Sequence, residues 1–165
     1  MNQYLLQESM KPVIYELARD ERIRQMSKYI QHGNTTCLRH CISVACCSLY
    51  IAEKFHLNVD KYSMVRGALL HDYFLYDWHM CKLKEFHGFH HPRIACENAK
   101  WDFELNSIEE DIIRKHMWPL TLFLPVYLET WVVSFADKYC STVETLQRIR
   151  LACVQFYNNR CCDMK

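Results

Sequence analysis

Apolar residues recur at intervals of three and four over most of the chain, a spacing that is typical of amphipathic helices. In the first third this spacing predicts a helix over residues 11–31, which His32 and Gly33 end. Residues 34–36 carry side chains that cap helices, so a second helix is predicted from there to about Phe55. We find no strand-like alternation of apolar and polar residues, so no strand is predicted.

The middle of the chain predicts a third helix followed by an irregular segment. Asp60 is expected to cap this helix, which ends near His71 and Asp72. Residues 73–89 are rich in aromatic side chains and are predicted to form a loop with a short helix inside it. These aromatic side chains either belong to the core or line a pocket, and the sequence is compatible with both.

The remaining helices are predicted from prolines and capping boxes, which mark helix starts. The predicted starts are Pro92 (with His91 as cap, ending near Trp101), a capping box at 107–110 (ending near Met117, before Pro119), Pro125, and a second capping box at 141–144 (ending near residue 158). The whole pattern predicts an all-α fold, a single compact bundle of about six to seven helices.

Size and composition fit one globular domain without a strong electrostatic partner. The 165 residues are 50% hydrophobic, and the formal net charge of +1 gives no case for nucleic acid or an anionic membrane surface as partner. No run of 18 apolar residues predicts a membrane span, and the first residues lack the pattern of a signal peptide. We therefore expect a cytoplasmic protein. The oligomeric state is left open.

Ten cysteines are present, but their spacing argues against a zinc or disulfide framework. No C-x2-C pair occurs. Four of the cysteines form two pairs of neighbours in the sequence, Cys46-Cys47 and Cys161-Cys162, and neighbouring cysteines do not easily bind one metal or bridge to each other. Cys41, Cys46 and Cys153 lie in apolar helical stretches, where free cysteine behaves as a small hydrophobe. Mostly free thiols in a reducing compartment are expected.

Histidine and aspartate residues are spread over the predicted helices in a way that suggests a metal site. The candidate ligands are His40, His71, Asp72, His91, His116 and Asp137. Imidazole nitrogens and carboxylate oxygens are the usual ligands of Fe, Mn, Zn and Mg sites that keep a position open for water. His71 and Asp72 directly follow the apolar stretch 68–70, which is expected to be buried. A buried charge needs a partner, and a metal ion is a suitable one. By contrast, His32, His56 and His79 are interpreted as ordinary surface or hydrogen-bonded residues.

The order of these residues resembles a known family. His40, then His71-Asp72, then Asp137 is similar to the H…HD…D pattern of the HD-domain metal-dependent phosphohydrolases. The resemblance extends to the contexts Arg39-His40-Cys41-Ile42-Ser43-Val44-Ala45, Gly67-Ala68-Leu69-Leu70-His71-Asp72 and Ser134-Phe135-Ala136-Asp137-Lys138. It covers about residues 36–141 and implies a single HD domain over 1–165, with flanking helices at 11–31 and 142–158.

Two further histidines resemble the dinuclear subset of that family. His91, in His91-Pro92-Arg93-Ile94-Ala95, and His116, in Ile113-Arg114-Lys115-His116, fall between the HD pair and the last aspartate. The resemblance implies two divalent ions, with Asp72 as the bridge. One ion would be held by His40, His71, Asp72 and Asp137, and the other by Asp72, His91 and His116. His90 is an alternative to His91.

The function that the resemblance implies is hydrolysis of a phosphoester or phosphoanhydride, on a small phosphorylated substrate of nucleotide type. A metal-activated water would attack phosphorus. The candidate catalytic residues are Asp72 and Asp77, and Asp77 could orient the water or the leaving group. Three basic residues near the ligands in sequence, Arg93, Lys115 and Lys138, are candidates to bind phosphate. The main alternative is a nucleotide-binding or regulatory module with little turnover. A di-iron oxygenase on the same scaffold is a third hypothesis.

Overall fold

The computed structural model describes residues 12–32, 34–80 and 87–162. Its elements are helices α1 (12–17), α2 (Glu21–Arg24), α3 (Cys37–Lys54), α4 (Lys61–Leu70), α5 (His87–Asp102), α6 (Ser107–Lys115) and α7 (Leu128–Cys162), 3-10 turns at Gln25–Lys28 and Trp78–Met80, and strands β1 (Ile30–His32) and β2 (Thr35–Thr36). The predicted all-α compact bundle is confirmed. Residue 11 of the predicted first helix and residues 81–86 of the predicted loop lie outside the described residues.

Two predicted caps hold the ends of the helices that lead into the centre of the bundle. The Thr36 hydroxyl accepts a hydrogen bond from the Arg39 backbone N–H (3.3 Å) and starts α3. The Asp60 carboxylate accepts one from the Ser63 N–H (3.1 Å) and starts α4. Each bond satisfies a backbone donor that has no partner inside its helix, which is why these residue types stand at helix starts.

The core consists of two adjoining apolar clusters. The first is formed mainly by α3, α4, α6 and α7 and includes Val44, Leu49, Met64, Leu69, Ile112 and Val133. The second joins α2, α3 and α5 to the segment after α4 and includes Ile23, Met26, Cys41, Tyr73, Phe74 and Ala95. Each fully buried valine, leucine, isoleucine, methionine or phenylalanine side chain contributes about 1.5–3 kcal/mol. The C-terminal end of α4 lies between the two clusters, so His71 and Asp72 follow directly from buried chain.

The predicted first helix over 11–31 is wrong in its second half. The Asp20 side chain accepts a hydrogen bond from the Arg22 N–H (2.9 Å) and starts α2 as a separate helix. After the 3-10 turn, β1 pairs antiparallel with β2, with Ile30 opposite Thr36. Side-chain bonds of this local kind compete with helix continuation, and apolar spacing alone does not report them.

The start of α5 also differs from the prediction. The helix already includes His87, so His91 and Pro92 lie inside it rather than at its cap and first position. Both residues are buried. Pro92 has no backbone N–H and so costs the helix one hydrogen bond, which burial of its ring offsets. Burial depends on the packing of the whole bundle, so a rule for isolated helices does not predict it.

The two predicted capping boxes have different outcomes. A capping box does start α6, but one residue earlier than predicted, with Asn106 as the cap and Glu109 as its reciprocal partner. The box at 141–144 is wrong, because α7 runs unbroken from Leu128 to Cys162. There the Ser141 hydroxyl donates to Asp137 Oδ1 (3.2 Å) and the Thr142 hydroxyl to the Lys138 carbonyl (2.7 Å). Hydroxyls in mid-helix can bond to the preceding turn in this way without ending the helix.

The predicted helix start at Pro125 lies three residues too early, since α7 begins at Leu128. The loop before α7 is fixed by Asp111 of α6, whose carboxylate accepts hydrogen bonds from the N–H of Val126 (2.9 Å) and of Tyr127 (3.3 Å). Among the described residues, no helix combines the length and the apolar character needed to cross a membrane.

Candidate metal centre

Four histidines and two aspartates carried by five helices meet inside the bundle. They are His40 on α3, His71 and Asp72 at the C-terminal end of α4, His91 on α5, His116 at the C-terminal end of α6 and Asp137 on α7. All six are buried, and the most exposed of them, Asp137, is 7% exposed. The structure therefore brings together the six residues that the family resemblance implies as ligands.

Each of the four imidazoles is held through its Nδ1 atom. The Nδ1 partners are Glu144 Oε2 for His40 (3.1 Å), the Ala68 carbonyl for His71 (2.7 Å), the His87 carbonyl for His91 (2.9 Å) and the Ile113 carbonyl for His116 (3.0 Å). A neutral imidazole that donates through Nδ1 keeps its lone pair on Nε2. All four Nε2 atoms face the same centre, as metal-binding histidines do when a neighbouring acceptor fixes their orientation.

Asp72 lies between two pairs of histidines. Its Oδ2 atom is 3.4 Å from His71 Nε2 and 3.9 Å from His40 Nε2. Its Oδ1 atom is 3.1 Å from His91 Nε2 and 3.8 Å from His116 Nε2. Each oxygen of the carboxylate therefore faces a different pair, which is the arrangement that a bridging carboxylate needs.

Asp137 completes the side of the centre that faces α3. Its Oδ1 atom is 3.1 Å from His40 Nε2 and 3.8 Å from His71 Nε2. Three overlapping groups among the six residues have all their ligand atoms within 4.8 Å of one another: His40, His71 and Asp72; His71, His116 and Asp137; and Asp72, His91 and His116. These buried groups could hold metal ions.

Two polar atoms of the centre have charged neighbours within 3.4 Å but no well-oriented hydrogen bond to a described residue. They are His71 Nε2 and Asp72 Oδ1, and both are fully buried. A buried polar atom without a partner costs about 1–3 kcal/mol. A metal ion between the histidine and carboxylate groups would satisfy both atoms, and a mixed nitrogen and oxygen donor set suits Fe, Mn or Zn better than Ca or Mg. The donors present thus fit a transition-metal ion.

The charges of the centre are mutually dependent. Burial by itself raises the pKa of Asp72, but His71 and His91 together outweigh burial and hold that pKa well below its usual range. Burial lowers the pKa of His40, but hydrogen bonds with Asp137 and Glu144 reverse the effect and raise the pKa to about 10. In the metal-free centre, protons on histidine thus supply the positive charge that the carboxylates attract.

His116 is electrostatically different from His40. Burial and the nearby His71 and His91 lower the pKa of His116 to about 3, so that it is neutral near pH 7. A metal ion would supply the positive charge in place of protons, and its binding releases those protons.

Two outer residues of the centre were missed by the sequence analysis. Gln31 of β1 is buried, and its Nε2 donates to Asp72 Oδ2 (2.5 Å). Glu144 of α7, which had been placed in a capping box, instead holds His40. The only sequence signal for Glu144 is its position seven residues after Asp137, two turns along the same helix face.

A cavity of about 670 Å³ opens beside the centre. Four candidate ligands line it, namely Asp72, His91, His116 and Asp137, and Gln31 lies beside them in its wall. A volume of this order suits a small-molecule ligand. The centre is therefore reachable from a space in which a substrate could bind.

The aromatic segment after the HD pair divides between core and cavity. Tyr73 and Phe74 are buried in the second apolar cluster. Trp78 lines the cavity, and its indole ring stacks on the His87 imidazole, with centroids 4.9 Å apart and planes 10° apart. His87 stacks in turn on His91 at 4.6 Å. Some aromatic side chains of the segment therefore belong to the core, and Trp78 lines the cavity.

Lys138 is the one predicted phosphate-binding residue that lines the cavity. Its ammonium group donates to the His116 carbonyl (2.9 Å), the Ser134 carbonyl (3.2 Å) and the Ser134 hydroxyl (2.9 Å). These three bonds match the three donors of a lysine. In this conformation Lys138 fixes the end of α6 against α7, and burial lowers its pKa.

The other predicted outer residues lie away from the cavity wall. Arg93 is exposed and pairs with Glu97 (3.3 Å), and Lys115 pairs with Asp111 (2.5 Å). Asp77 is exposed and does not line the cavity, and neither do Arg93 and Lys115. His90 is also exposed, whereas His91 is buried in the centre. Of this adjacent histidine pair, the structure places His91 among the candidate ligands.

Cysteines lie close to the centre but remain thiols. Cys37, Cys41, Cys47, Cys96 and Cys140, whose side chains are described, carry free thiols. Cys37 Sγ donates to the Asp72 carbonyl (3.2 Å), and Cys37 and Cys41 could form a further ligand group with Asp72. Burial raises the pKa of both thiols, which favours the neutral form over the thiolate that binds metals.

Comparisons with protein-family models, with curated proteins and with solved structures give no match. The resemblance to HD-domain phosphohydrolases therefore depends on the sequence motifs alone. The function must be argued from the geometry of the centre and its cavity.

Proposed function

We propose that this protein is a metal-dependent phosphohydrolase with two divalent ions at the candidate centre. The observation that carries the proposal is the position of Asp72, whose two oxygens face separate histidine pairs. His40, His71, Asp72 and Asp137 would hold one ion, and Asp72, His91 and His116 the other. Bound ions of this kind supply an activated water and neutralise phosphoryl charge.

The residues of the chain would position the ions and bind the substrate. The Nδ1 contacts of the histidines fix the ring orientations before any ion binds, and Gln31 and Glu144 hold Asp72 and His40 in place. Such outer contacts are worth roughly 10–100-fold in metal affinity or activity. Burial of the centre keeps bulk water away from the charges, which strengthens their interactions.

The cavity supports a small phosphorylated substrate with an apolar part. Next to the ligands its wall includes Trp78, Met117, Pro119 and Leu120. A nucleotide-type molecule would place its phosphoryl group at the centre and its base against this apolar wall, since pockets of this kind combine apolar surface with a few polar groups.

A substrate screen on protein of known metal content tests the proposal. Phosphomonoesters, phosphodiesters, nucleotides and dinucleoside polyphosphates are offered with Mn²⁺, Fe²⁺, Zn²⁺ or Mg²⁺. Hydrolysis of at least one substrate class is expected. The rate of hydrolysis should fall by more than about 100-fold in Asp72→Ala and stay unchanged in the matched control His90→Ala. If metal binds but no substrate is hydrolysed, the binding-module alternative replaces the enzyme. Oxygen consumption by an iron-loaded sample would instead indicate an oxygenase.

A further inference from the structure

Helix α7 carries an exposed apolar stripe opposite its buried face. Val132, Val133 and Ala136 face the core. Six large apolar side chains point outward, with exposed fractions from 37% (Trp131) to 65% (Phe135): Leu128, Trp131, Phe135, Tyr139, Leu146 and Ile149. At 100° per residue they lie within a sector of about 80° and extend over about 32 Å of helix. We call this surface the α7 stripe.

The loop that leads into Leu128, the first residue of the stripe, adds four exposed apolar side chains. Leu122, Phe123, Leu124 and Val126 are 63–90% exposed. A large apolar side chain that is half exposed leaves roughly 100 Å² in water, so the ten side chains together expose about 1,000 Å². The largest apolar patch on a typical monomer is about 300–600 Å². A stable interface needs about 800 Å² from each partner, an area that the stripe and the loop side chains reach only together.

The shape and charge of the stripe favour a protein helix over a lipid surface. A stripe this narrow is the seam of paired helices, whereas membrane-surface helices carry a wide apolar face with lysines and arginines opposite it. Between residues 128 and 149, α7 has three acidic side chains (Glu129, Asp137, Glu144) and two basic ones (Lys138, Arg148). This balance gives no attraction for anionic lipids.

We propose that the α7 stripe binds a second copy of this chain, which forms a two-fold symmetric dimer with α7 packed against α7. Every copy presents the same stripe, so one surface supplies both halves of the interface. Thr142 lies in the same angular sector as the stripe and also lines the cavity. The dimer interface therefore runs along the rim of the cavity. The proposal does not depend on the proposed enzymatic function.

Sedimentation equilibrium of the 165-residue chain under reducing conditions tests this proposal. The expected mass is twice the 19.9 kDa of one chain at micromolar concentration. Phe135→Glu and Leu146→Glu each place a charge in the seam and are expected to weaken the dimer by roughly 30-fold or more. The matched control is Phe55→Glu, because Phe55 (64% exposed) is as accessible as Phe135 (65%) but lies at the end of α3. The control is expected to remain dimeric.

Three results would overturn the proposal. One is a wild-type protein that stays monomeric up to about 100 μM, well above the Kd of a stable dimer. Another is a dimer that both glutamate variants leave intact while circular dichroism shows them folded, since the interface would then lie elsewhere. The third is a monomer that co-sediments with phosphatidylcholine vesicles, which would assign the stripe to a membrane.

Discussion

Glu144 is the residue that fixes His40 from outside the centre. Its carboxylate accepts the Nδ1 hydrogen of His40 at 3.1 Å, while Asp137, two turns earlier on the same helix face, contacts Nε2 of the same ring. A carboxylate behind a histidine makes the imidazole a better metal ligand and selects its tautomer. One face of α7 therefore provides both a candidate ligand and the support for another.

Replacement of Glu144 by alanine is expected to weaken metal binding by about 10–100-fold without unfolding the protein. The metal affinity of the apo protein is measured by titration against a competing chelator. Glu97→Ala is the matched control, since Glu97 is an exposed carboxylate that pairs with Arg93 on the surface. Equal affinity in Glu144→Ala and Glu97→Ala would contradict a positioning role for Glu144.

The residues that the sequence analysis missed have distant partners. Gln31 and Asp72 are 41 positions apart, and Glu144 and His40 are 104 positions apart. No local pattern relates such positions, so their roles emerge only when the helices pack. The six candidate ligands could be named because their residue types and order resemble a family, and not because periodicity indicates a metal.

Among the elements, α4 and α6 determine the spacing of the centre, since each ends in a candidate ligand, His71 or His116. They approach closely at Gly67. A Cβ atom there would lie 2.6 Å from Ile112 Cδ1 and 3.1 Å from Ile112 Cβ. The absence of a side chain at Gly67 thus lets the two helix ends meet.

Gly67→Ala is expected to lower the free energy of unfolding by about 1–3 kcal/mol, because Ile112 is fully buried and its Cβ atom cannot move without the helix. Urea denaturation measures the change. Gly88→Ala is the control, since a Cβ atom at Gly88 would meet only the flexible ends of Leu120 (3.0 Å) and Met117 (3.4 Å). If both variants were as stable as wild type, close packing of α4 on α6 would be contradicted.

Element boundaries were predictable where local chemistry decides them. The caps Thr36 and Asp60 each accept a hydrogen bond from a backbone N–H three residues ahead. Such caps can be recognised from a few neighbouring residues of the sequence. The pairing of β1 with β2 and the unbroken course of α7 depend on packing against the rest of the bundle. For this reason the helical spacing over 11–31 and the hydroxyls at Ser141 and Thr142 predicted the wrong elements.

At the scale of the whole molecule, the candidate ligands connect five helices, α3 to α7. An ion bound to the folded state alone stabilises that state by mass action, by about 2.7 kcal/mol when its free concentration is 100 times Kd. The centre should therefore act as a cross-link between both apolar clusters of the core.

Removal of metal by a chelator is accordingly expected to lower the thermal midpoint by several degrees, and restoration of the metal should reverse the change. Differential scanning calorimetry measures the shift. Asp72→Ala, which lacks the central carboxylate, should show no chelator-dependent shift. A wild-type midpoint that is the same with and without chelator would indicate that the helices are held together without a metal.

The most direct test of the two-ion centre is the metal content of the purified 165-residue chain, measured by elemental analysis after loading with Mn²⁺ or Zn²⁺ and desalting. Two ions per chain are expected for the wild type and for His90→Ala, one for His91→Ala and none for Asp72→Ala. A wild-type protein without bound metal, or a His91→Ala variant that keeps the full content, would contradict the account.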